Sequence, residues 1–242
     1  MNVVAILQAR MGSSRLPGKV LMDLAGEPML GRCMRRLRDA QRLSTIWVAT
    51  SVNPRDQAIA RLCEARGWHC FRGSENDVLD RYYQTACQAK ADVVVRTTSD
   101  CPLIDPGLVD RVIQEFLDRQ PGVDYASNTH LQRTFPRGLD TEVFRIDTLE
   151  RAWREDQNPA SREHVTPYIY RNPQLFRVHG VANDVDFSDM RWTVDTPEDL
   201  AFVRRVFGHF GNDQFSWQDA LKVLQKCPEW LSINRNVQQK AI

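Results

Sequence analysis

Short apolar runs alternate with amphipathic helical patterns through the first half of this sequence. The apolar runs predict four strands, at residues 3–7, 45–50, 68–71 and 93–96. Helical spacing predicts helices over 29–42 and 77–89, one capped by Asn53-Pro54 and one opened by Asp105-Pro106. Because strands that alternate with helices form crossover units, we predict an α/β fold. It should be a three-layer α/β/α sandwich around a mostly parallel central sheet.

The second half of the chain has a less regular pattern. Apolar runs there predict strands at 125–127, 142–146, 176–179 and 191–194. We predict helices after Asp147, at Thr166-Pro167 and from Phe215-Ser216, and Thr196-Pro197-Glu198-Asp199 has the cap, proline and acids of a helix start. No internal repeat or low-complexity linker interrupts the sequence, so a single domain over 1–242 is predicted.

The stretch after the first predicted strand combines small residues with cations. Gly12, Ser13, Ser14 and Gly18 stand among Arg10, Arg15 and Lys19. Small residues let a backbone approach a ligand closely, and the cations suit phosphate oxygens, so the stretch predicts a polyphosphate-binding loop. The alternative is a solvated basic turn. Neither the Gly-x-x-x-x-Gly-Lys-Ser/Thr nor the Gly-x-Gly-x-x-Gly phosphate motif is present.

Composition is typical of a soluble globular protein. Of the 242 residues, 42% are hydrophobic and 26% are charged, which allows one large core. The net charge of +1 predicts neither a nucleic-acid nor a membrane partner. The six cysteines lack C-x-x-C or metal-site spacing, and no signal peptide or membrane-length apolar run is evident. We therefore expect reduced thiols and a cytoplasmic protein.

Polar residues also follow the other predicted parallel strands. Thr50 follows the second strand, Thr98-Ser99-Asp100 follows the strand at 93–96, and Asp195 follows the stretch 192–194. Ligands of open α/β sheets bind outside the carboxyl ends of the strands, so Asp100 and Asp195 could converge on a phosphate. The alternatives are structural, with Asp100 capping a turn and Asp195 marking a helix entry.

Five phrases in order resemble the CMP-sugar synthetases, the cytidylyltransferases of 3-deoxy-manno-octulosonate and acylneuraminate, and most closely the spore-coat polysaccharide group. The resemblance implies a glycosyltransferase-A-like (nucleotide-diphospho-sugar transferase) sandwich. It implies a nucleotide half at about 1–120, an acceptor half at about 121–207 and a helical tail at about 208–242. The phrases are Leu7-Gln8-Ala9-Arg10 with Ser13-Ser14-Arg15-Leu16-Pro17-Gly18-Lys19, Ser99-Asp100-Cys101-Pro102-Leu103-Ile104-Asp105, Gly138-Leu139-Asp140-Thr141-Glu142, Arg162-Glu163-His164-Val165-Thr166-Pro167 and Trp192-Thr193-Val194-Asp195-Thr196-Pro197-Glu198-Asp199-Leu200.

The resemblance also implies roles for individual residues. It makes Arg10, Lys19, Asp100 and Asp195 catalytic, with the two aspartates as ligands of a Mg²⁺ cofactor. It implies CTP and a small acidic-sugar-like acceptor as partners, and a homodimer. The predicted nucleotide-binding residues are Leu7, Ala9, Arg10, Gly12, Ser13, Ser14, Arg15, Lys19, Thr50, Ser74, Asn76, Asp77, Arg81, Thr98 and Ser99. The predicted acceptor-binding residues are Arg133, Arg137, Asp140, Glu142, Arg162, Glu163 and His164.

Several alternatives stay open at this point. The predicted base-binding segment keeps only Ser74 and Arg81 of the Ser-Gly-Thr-Glu-Arg phrase of the octulosonate enzymes, so another nucleoside triphosphate is possible. The stretch 138–142 matches neither the acceptor motif of the acylneuraminate enzymes nor that of the octulosonate enzymes. The identity of the sugar therefore stays open, and a phosphonate or polyol-phosphate acceptor is an alternative. The same fold also serves glycosyltransferases that use nucleotide sugars. A non-catalytic nucleotide-binding module is the alternative of another class.

Overall fold

One seven-stranded sheet forms the centre of the protein in the computed structural model, which describes residues 1–239. The strand order is β3-β2-β1-β4-β6-β5-β7, and all strands run parallel except β6, which is antiparallel to β4 and β5. The mostly parallel sheet is therefore confirmed. The strands are β1 (Val3–Gln8), β2 (Thr45–Ser51), β3 (His69–Gly73), β4 (Val93–Thr98), β5 (Tyr125–Ser127), β6 (Glu142–Arg145) and β7 (Val178–Gly180).

Helices cover both faces of this sheet and complete the predicted three layers. Helices α1, α2, α4, α8 and α9 contribute to the hydrophobic core on one face, and α3, α5 and α7 contribute to the core on the other. Their bounds are α1 (Met29–Arg38), α2 (Gln57–Arg66), α3 (Val78–Gln88), α4 (Pro106–Asp118), α5 (Ile146–Glu155), α6 (Pro159–His164), α7 (Pro167–Tyr170), α8 (Pro197–Phe210) and α9 (Trp217–Lys226). Short 3₁₀ helices occupy Lys19–Leu21, Pro54–Asp56 and Pro228–Ser232.

Strand β1 lies at the centre of the sheet, between β2 and β4, and its sequence explains why. Alternate side chains of a strand point to opposite faces, so a strand buried on both faces must be apolar throughout. Val3, Ala5 and Leu7 belong to one core, and Val4 and Ile6 belong to the other. This placement directs the loop that follows β1 to the carboxyl edge of the parallel strands, where ligands bind.

Two predictions about secondary structure are wrong. The first helix ends at Arg38 instead of residue 42, because the N–H groups of Gln41 and Arg42 bind the Asp110 carboxylate. The stretch 191–194 makes a single bridge, from Arg191 to Arg137, and forms no strand. Its N–H groups bind loop carbonyls instead of a neighbouring strand, as Val194 N–H does with the Asp100 carbonyl at 2.8 Å.

Helix starts were easier to predict than the short helices. The Thr196 side chain accepts from Asp199 N–H and the Asp199 carboxylate accepts from Thr196 N–H, a reciprocal cap that starts α8. Helix α6 was not predicted, although Asn158 and Pro159 give it a regular start. In residues 1–239, all six cysteines are free thiols, and none of the helices combines the length and the apolar character that a membrane span requires.

Candidate active site

A cavity of about 580 Å³ opens at the carboxyl ends of β1 and β4, beside the loop that follows β1. It brings together residues from both halves of the chain. The predicted site residues that line it are Arg10, Gly12, Ser13, Ser14, Arg15, Lys19, Thr98, Ser99, Asp100, Arg133, Arg137, Asp140, Glu142, Glu163, His164 and Asp195. Its lining also includes Arg96, His130 and Tyr170, which the sequence analysis did not name.

Lys19 joins the two aspartates that the sequence predicted to converge. Its ammonium donates to Asp100 Oδ2 at 3.0 Å, to Asp195 Oδ1 at 2.9 Å and to the carbonyl of Val194 at 2.7 Å. All three ammonium protons therefore have an acceptor, and the Lys19 side chain is only 9% exposed. Both carboxylates retain access to the cavity, with exposed fractions of 30% for Asp100 and 17% for Asp195.

The ion pair between Lys19 and Asp100 keeps both of these side chains charged at neutral pH. Burial alone would lower the pKa of Lys19, but the charges of Asp100 and Asp195 outweigh it, so the pKa is raised above its ordinary value. Burial alone would raise the pKa of Asp100, but the Lys19 charge and the Thr98 hydroxyl, 2.6 Å from Oδ1, hold it below its ordinary value. Asp100 is consequently ionised and Lys19 protonated at neutral pH.

The loop after β1 presents main-chain donors to the same cavity. Gly18 N–H donates to the carbonyl of Met11 at 2.9 Å, and Gly18 has a φ of +74°, which glycine adopts without strain. Within the described residues, the N–H groups of Gly12, Ser14 and Arg15 make no hydrogen bond. Because these residues line the cavity, their N–H groups are suited to bind phosphate oxygens.

Asp195 is held by two arginines, one of which was not predicted. Arg15 and Arg191 each place a guanidinium nitrogen 2.8 Å from Asp195 Oδ2. Arg191 also binds both oxygens of the buried Asp199, at 2.9 Å each. The sequence contains a signal for this arrangement, since an arginine and an acid flank Asp195 at four residues on either side. The pattern of a strand at 191–194 hides this signal, because the spacing of four residues is that of a helix or a turn.

The C-terminal stretch 234–239 contacts both of these arginines. Arg15 Nη1 donates to the carbonyl of Gln238 at 3.2 Å, and Arg191 Nη1 donates to the side chain of Gln239. The buried Asn234 amide donates to the carbonyl of Arg191 at 2.9 Å and to Asp199 Oδ1 at 3.0 Å. The stretch 234–239 therefore supports Arg15 and Arg191, the two arginines that hold Asp195. The sequence analysis did not predict this role.

Replacing Asn234 with alanine is expected to weaken this support. The change removes the donor of the Arg191 carbonyl and one of the two donors of Asp199 Oδ1, which should lower the free energy of unfolding by about 1–3 kcal/mol. A few-fold increase in the KM for the nucleotide should accompany it, because Arg191, which holds Asp195, loses a fixed neighbour. Chemical denaturation and steady-state kinetics measure both effects. The exposed Asn236→Ala is the matched control, and equal behaviour of the two variants would contradict the role of Asn234.

Residues of the predicted acceptor half also form ion pairs in the lining of the cavity. Arg133 binds both oxygens of Asp140, at 2.6 and 3.0 Å, and Arg10 lies 3.2 Å from Glu163. Burial is the main reason that the pKa of His164 is lowered, with the nearby arginine charges acting in the same direction. His164 is therefore neutral at pH 7.

Arg96 is a functional candidate that the sequence analysis overlooked. It lies on β4 and pairs with Glu142 on the neighbouring β6, and the hydroxyl of Tyr125 donates to Glu142 at 2.8 Å. The sequence signal was a charged residue directly after three valines of a buried strand, because such residues are buried only when paired. The pair fixes one wall of the cavity.

Eight predicted site residues do not line the cavity, namely Leu7, Ala9, Thr50, Ser74, Asn76, Asp77, Arg81 and Arg162. Leu7, Ala9 and Thr50 are buried in the sheet or at its edge. Arg162 Nη2 pairs with Asp77 Oδ2 at 2.8 Å instead of facing the cavity. The buried Arg81 donates to the Ser74 carbonyl at 2.7 Å. Their base- and acceptor-binding roles stay predictions.

The donor set at Lys19 fits Mg²⁺ that arrives with a phosphate ligand. Mg²⁺ takes one or two protein carboxylates and completes its octahedral shell with phosphate oxygens and water. Asp100 and Asp195 approach one atom, Lys19 Nζ, within 3.0 Å, so they are close enough together to share an ion. Within residues 1–239, no group of three or more His, Cys, Asp or Glu could hold a metal by itself. The two residues that would hold the ion are Asp100 and Asp195.

Comparisons with known proteins by family profile, by sequence and by structure point to the same family. The profile of a family described as cytidylyltransferase matches residues 4–226. The spore coat polysaccharide biosynthesis protein SpsF of Bacillus subtilis is 33% identical, over 94% of this chain and 96% of that protein. A 3-deoxy-manno-octulosonate cytidylyltransferase of Bradyrhizobium sp. is 34% identical, over 85% of this chain and 97% of that protein.

One solved structure is similar to this chain in both fold and sequence. The structure of a cytidylyltransferase from Leptospira borgpetersenii matches with a TM-score of 0.92 and 34% identity, and it covers 100% of both chains. Nucleotidyl transfer requires cations and donors for a triphosphate beside acids that can hold a metal, and the residues of this cavity are of those kinds. The fold and the family model together define a nucleotidyltransferase. The chain belongs to the cytidylyltransferase family. This membership decides against the glycosyltransferase and the non-catalytic binding module.

Proposed function

We propose that this enzyme is a Mg²⁺-dependent cytidylyltransferase that transfers CMP from CTP to an acidic sugar or a related acceptor and releases pyrophosphate. The family supports the transfer of a cytidylyl group. The octulosonate enzyme among the relatives supports an acidic acceptor, and SpsF supports a product used in surface polysaccharide or glycan synthesis. We also propose a homodimer in the cytoplasm, and the elution volume in size-exclusion chromatography tests the dimer.

One observation carries the proposal, the convergence of Lys19, Asp100 and Asp195 at the edge of the sheet where the loop after β1 begins. Three residues from distant parts of the chain meet within hydrogen-bond distance, and the cavity reaches both carboxylates. Loop residues with unpaired N–H groups line the same cavity. A basic surface turn would need none of these features.

The chemistry that these residues must support is a displacement at the α-phosphorus. An acceptor hydroxyl oxygen forms the new P–O bond, the bond from the α-phosphorus to the bridging oxygen breaks, and that oxygen leaves with pyrophosphate while the hydroxyl proton passes to solvent water. Negative charge accumulates on the leaving oxygen, so fixed positive charge lowers the barrier. When bound between Asp100 and Asp195, Mg²⁺ supplies Lewis-acid stabilisation of the phosphate oxygens.

The chain itself contributes orientation and charge. In this proposal Arg10, Arg15 and the loop N–H groups of Gly12 and Ser14 bind the triphosphate and hold the α-phosphate near the acceptor, which their position in the cavity lining supports. Among the described residues, Lys19 is the cation that contacts both acids, and it can move from a carboxylate to a phosphate oxygen with little change in its own charge state. The acceptor half then binds the sugar from the opposite side of the cavity.

A two-stage experiment tests this function. Thermal shift with each of the four nucleoside triphosphates and Mg²⁺ should show the largest stabilisation with CTP, because bound ligand stabilises the folded state. Pyrophosphate release is then measured with CTP and a panel that includes 3-deoxy-manno-octulosonate, N-acetylneuraminate and glycerol 3-phosphate. We expect release with an acid sugar. Preferential binding of another nucleotide, or release only with glycerol 3-phosphate, would contradict the proposal.

A further inference from the structure

The side chains that line the cavity carry more positive than negative charges. In the part of the chain that the structure describes, six cationic side chains line the cavity against five carboxylates. The cations are Arg10, Arg15, Lys19, Arg96, Arg133 and Arg137. The excess of one positive charge raises the question of which cation has no carboxylate of its own.

Five of the six cations have a carboxylate of the cavity as partner, and no carboxylate needs to be counted twice. The shortest separations are between 2.6 and 3.2 Å for the four pairs with ordinary distances, and Arg96 also contacts its partner directly. The pairs are Arg10–Glu163, Arg15–Asp195, Lys19–Asp100, Arg96–Glu142 and Arg133–Asp140. Among the described residues, the guanidinium of Arg137 makes neither a hydrogen bond nor an ion pair.

The backbone holds Arg137 firmly although its side chain is unpaired. Its N–H donates to the carbonyl of Met190 at 2.9 Å, and its carbonyl accepts from Trp192 N–H at 2.6 Å. The next residue, Gly138, packs so closely on Trp192 and Thr193 that an added Cβ would lie 2.6 Å from their backbone atoms. The base of the Arg137 side chain is therefore fixed relative to the segment that leads to Asp195.

Fixed placement and a missing partner make Arg137 suited to a ligand. A half-buried guanidinium without a partner has lost part of its hydration, and an arriving anion restores the lost interactions. The other arginines would first have to give up an existing carboxylate, as Arg133 would with both oxygens of Asp140. The planar fork of arginine matches a carboxylate through two parallel hydrogen bonds.

We propose that Arg137 binds the carboxylate of the acceptor and is the residue that selects an acidic acceptor over a neutral one. The proposal rests on the proposed function, since it assigns one contact within the acceptor half of that site. It distinguishes Arg137 from the other predicted acceptor residues that carry a full charge, each of which already pairs with an opposite charge of the protein. Arg137 then acts on acceptor affinity and leaves the binding of CTP unchanged.

Binding measurements on the full chain test this assignment without turnover. The wild type, Arg137→Gln, Arg137→Lys and the exposed control Arg61→Gln are saturated with Mg²⁺ and the α,β-methylene analogue of CTP. They are then titrated calorimetrically with 3-deoxy-manno-octulosonate, its methyl ester and N-acetylneuraminate. A charge-assisted contact predicts about 10- to 100-fold weaker binding of the preferred acid by Arg137→Gln. Arg137→Lys should recover part of the loss, and Arg61→Gln should match the wild type.

The methyl ester separates carboxylate recognition from a general loss of the site. The wild type should prefer the acid over its ester, and Arg137→Gln should lose that preference while it binds the CTP analogue as the wild type does. Unchanged acid binding by Arg137→Gln, weaker binding of the CTP analogue instead, or no acid binding by the wild type would each overturn the assignment. If the wild type binds the acid through Arg137 but releases no pyrophosphate with CTP, the assignment stands and the proposed function fails.

Discussion

Asp195→Asn and Asp100→Asn should each lower kcat/KM by roughly 10²–10³-fold, the loss typical of removing one electrostatic partner of a transition state. The substitution keeps the size of the side chain but removes the charge that would attract Mg²⁺. It also leaves Lys19, which is 9% exposed, with one carboxylate instead of two. The measurement is pyrophosphate release at saturating Mg²⁺ with CTP and the preferred acceptor.

A matched control separates this effect from the removal of an acid in general. Asp118 is exposed at the end of α4 and lies outside the lining of the cavity, so Asp118→Asn should retain the wild-type rate. Circular dichroism and thermal unfolding show whether the variants of Asp100 and Asp195 keep the fold. Full turnover by either folded variant at saturating Mg²⁺ would show that the acid in question is not needed for the reaction.

Of the substitutions proposed for this protein, Gly138→Ala should lower the free energy of unfolding most, by about 3 kcal/mol or more. Gly138 has a φ of +112°, a backbone conformation that residues other than glycine rarely adopt. An added Cβ would also lie 2.6 Å from the nitrogen of Thr193 and the carbonyl carbon of Trp192, both of which are backbone atoms. Either the loop at Arg137 or the segment before Asp195 must then move, so activity should fall with stability. Urea unfolding measures the change in free energy.

Gly211→Ala isolates the backbone strain from the steric clash. Gly211 ends α8 with a φ of +69°, and nothing lies within 4 Å of an added Cβ. Its replacement should cost roughly 1–2 kcal/mol, the penalty of a left-handed conformation alone. A cost for Gly138→Ala no greater than that for Gly211→Ala would show that the contact with residues 192 and 193 is not tight.

The first half of the fold could be predicted because its pattern follows from burial alone. A central parallel strand must be apolar on both faces, and the run Val3 to Leu7 satisfies that requirement without knowledge of its neighbours. The second half depends on contacts between distant residues. Nothing local shows that β6 runs antiparallel between β4 and β5, or that Val194 N–H binds the carbonyl of Asp100 instead of a strand.

In the candidate site, too, some residues could be predicted from the sequence and others could not. Asp100 could be placed from the sequence because it follows β4, and the family phrases paired Asp195 with it. The strand-end argument for Asp195 was wrong, since residues 191–194 form no strand. The role of Asn234 could not be predicted, because it depends on where the C-terminal stretch lies in three dimensions. The special position of Arg137 could not be recognised either. All arginines are alike in sequence, and only the contacts show which ones already have a carboxylate.

The position of a divalent ion tests the central claim most directly. Crystals of the wild-type enzyme grown with Mn²⁺ and the α,β-methylene analogue of CTP would reveal the ion by its anomalous scattering. The structure predicts an ion bound by both Asp100 and Asp195 and by a phosphate oxygen, with Lys19 on the triphosphate side. An ion held away from these two carboxylates, or a triphosphate that does not contact the loop at Gly12–Arg15, would contradict the account.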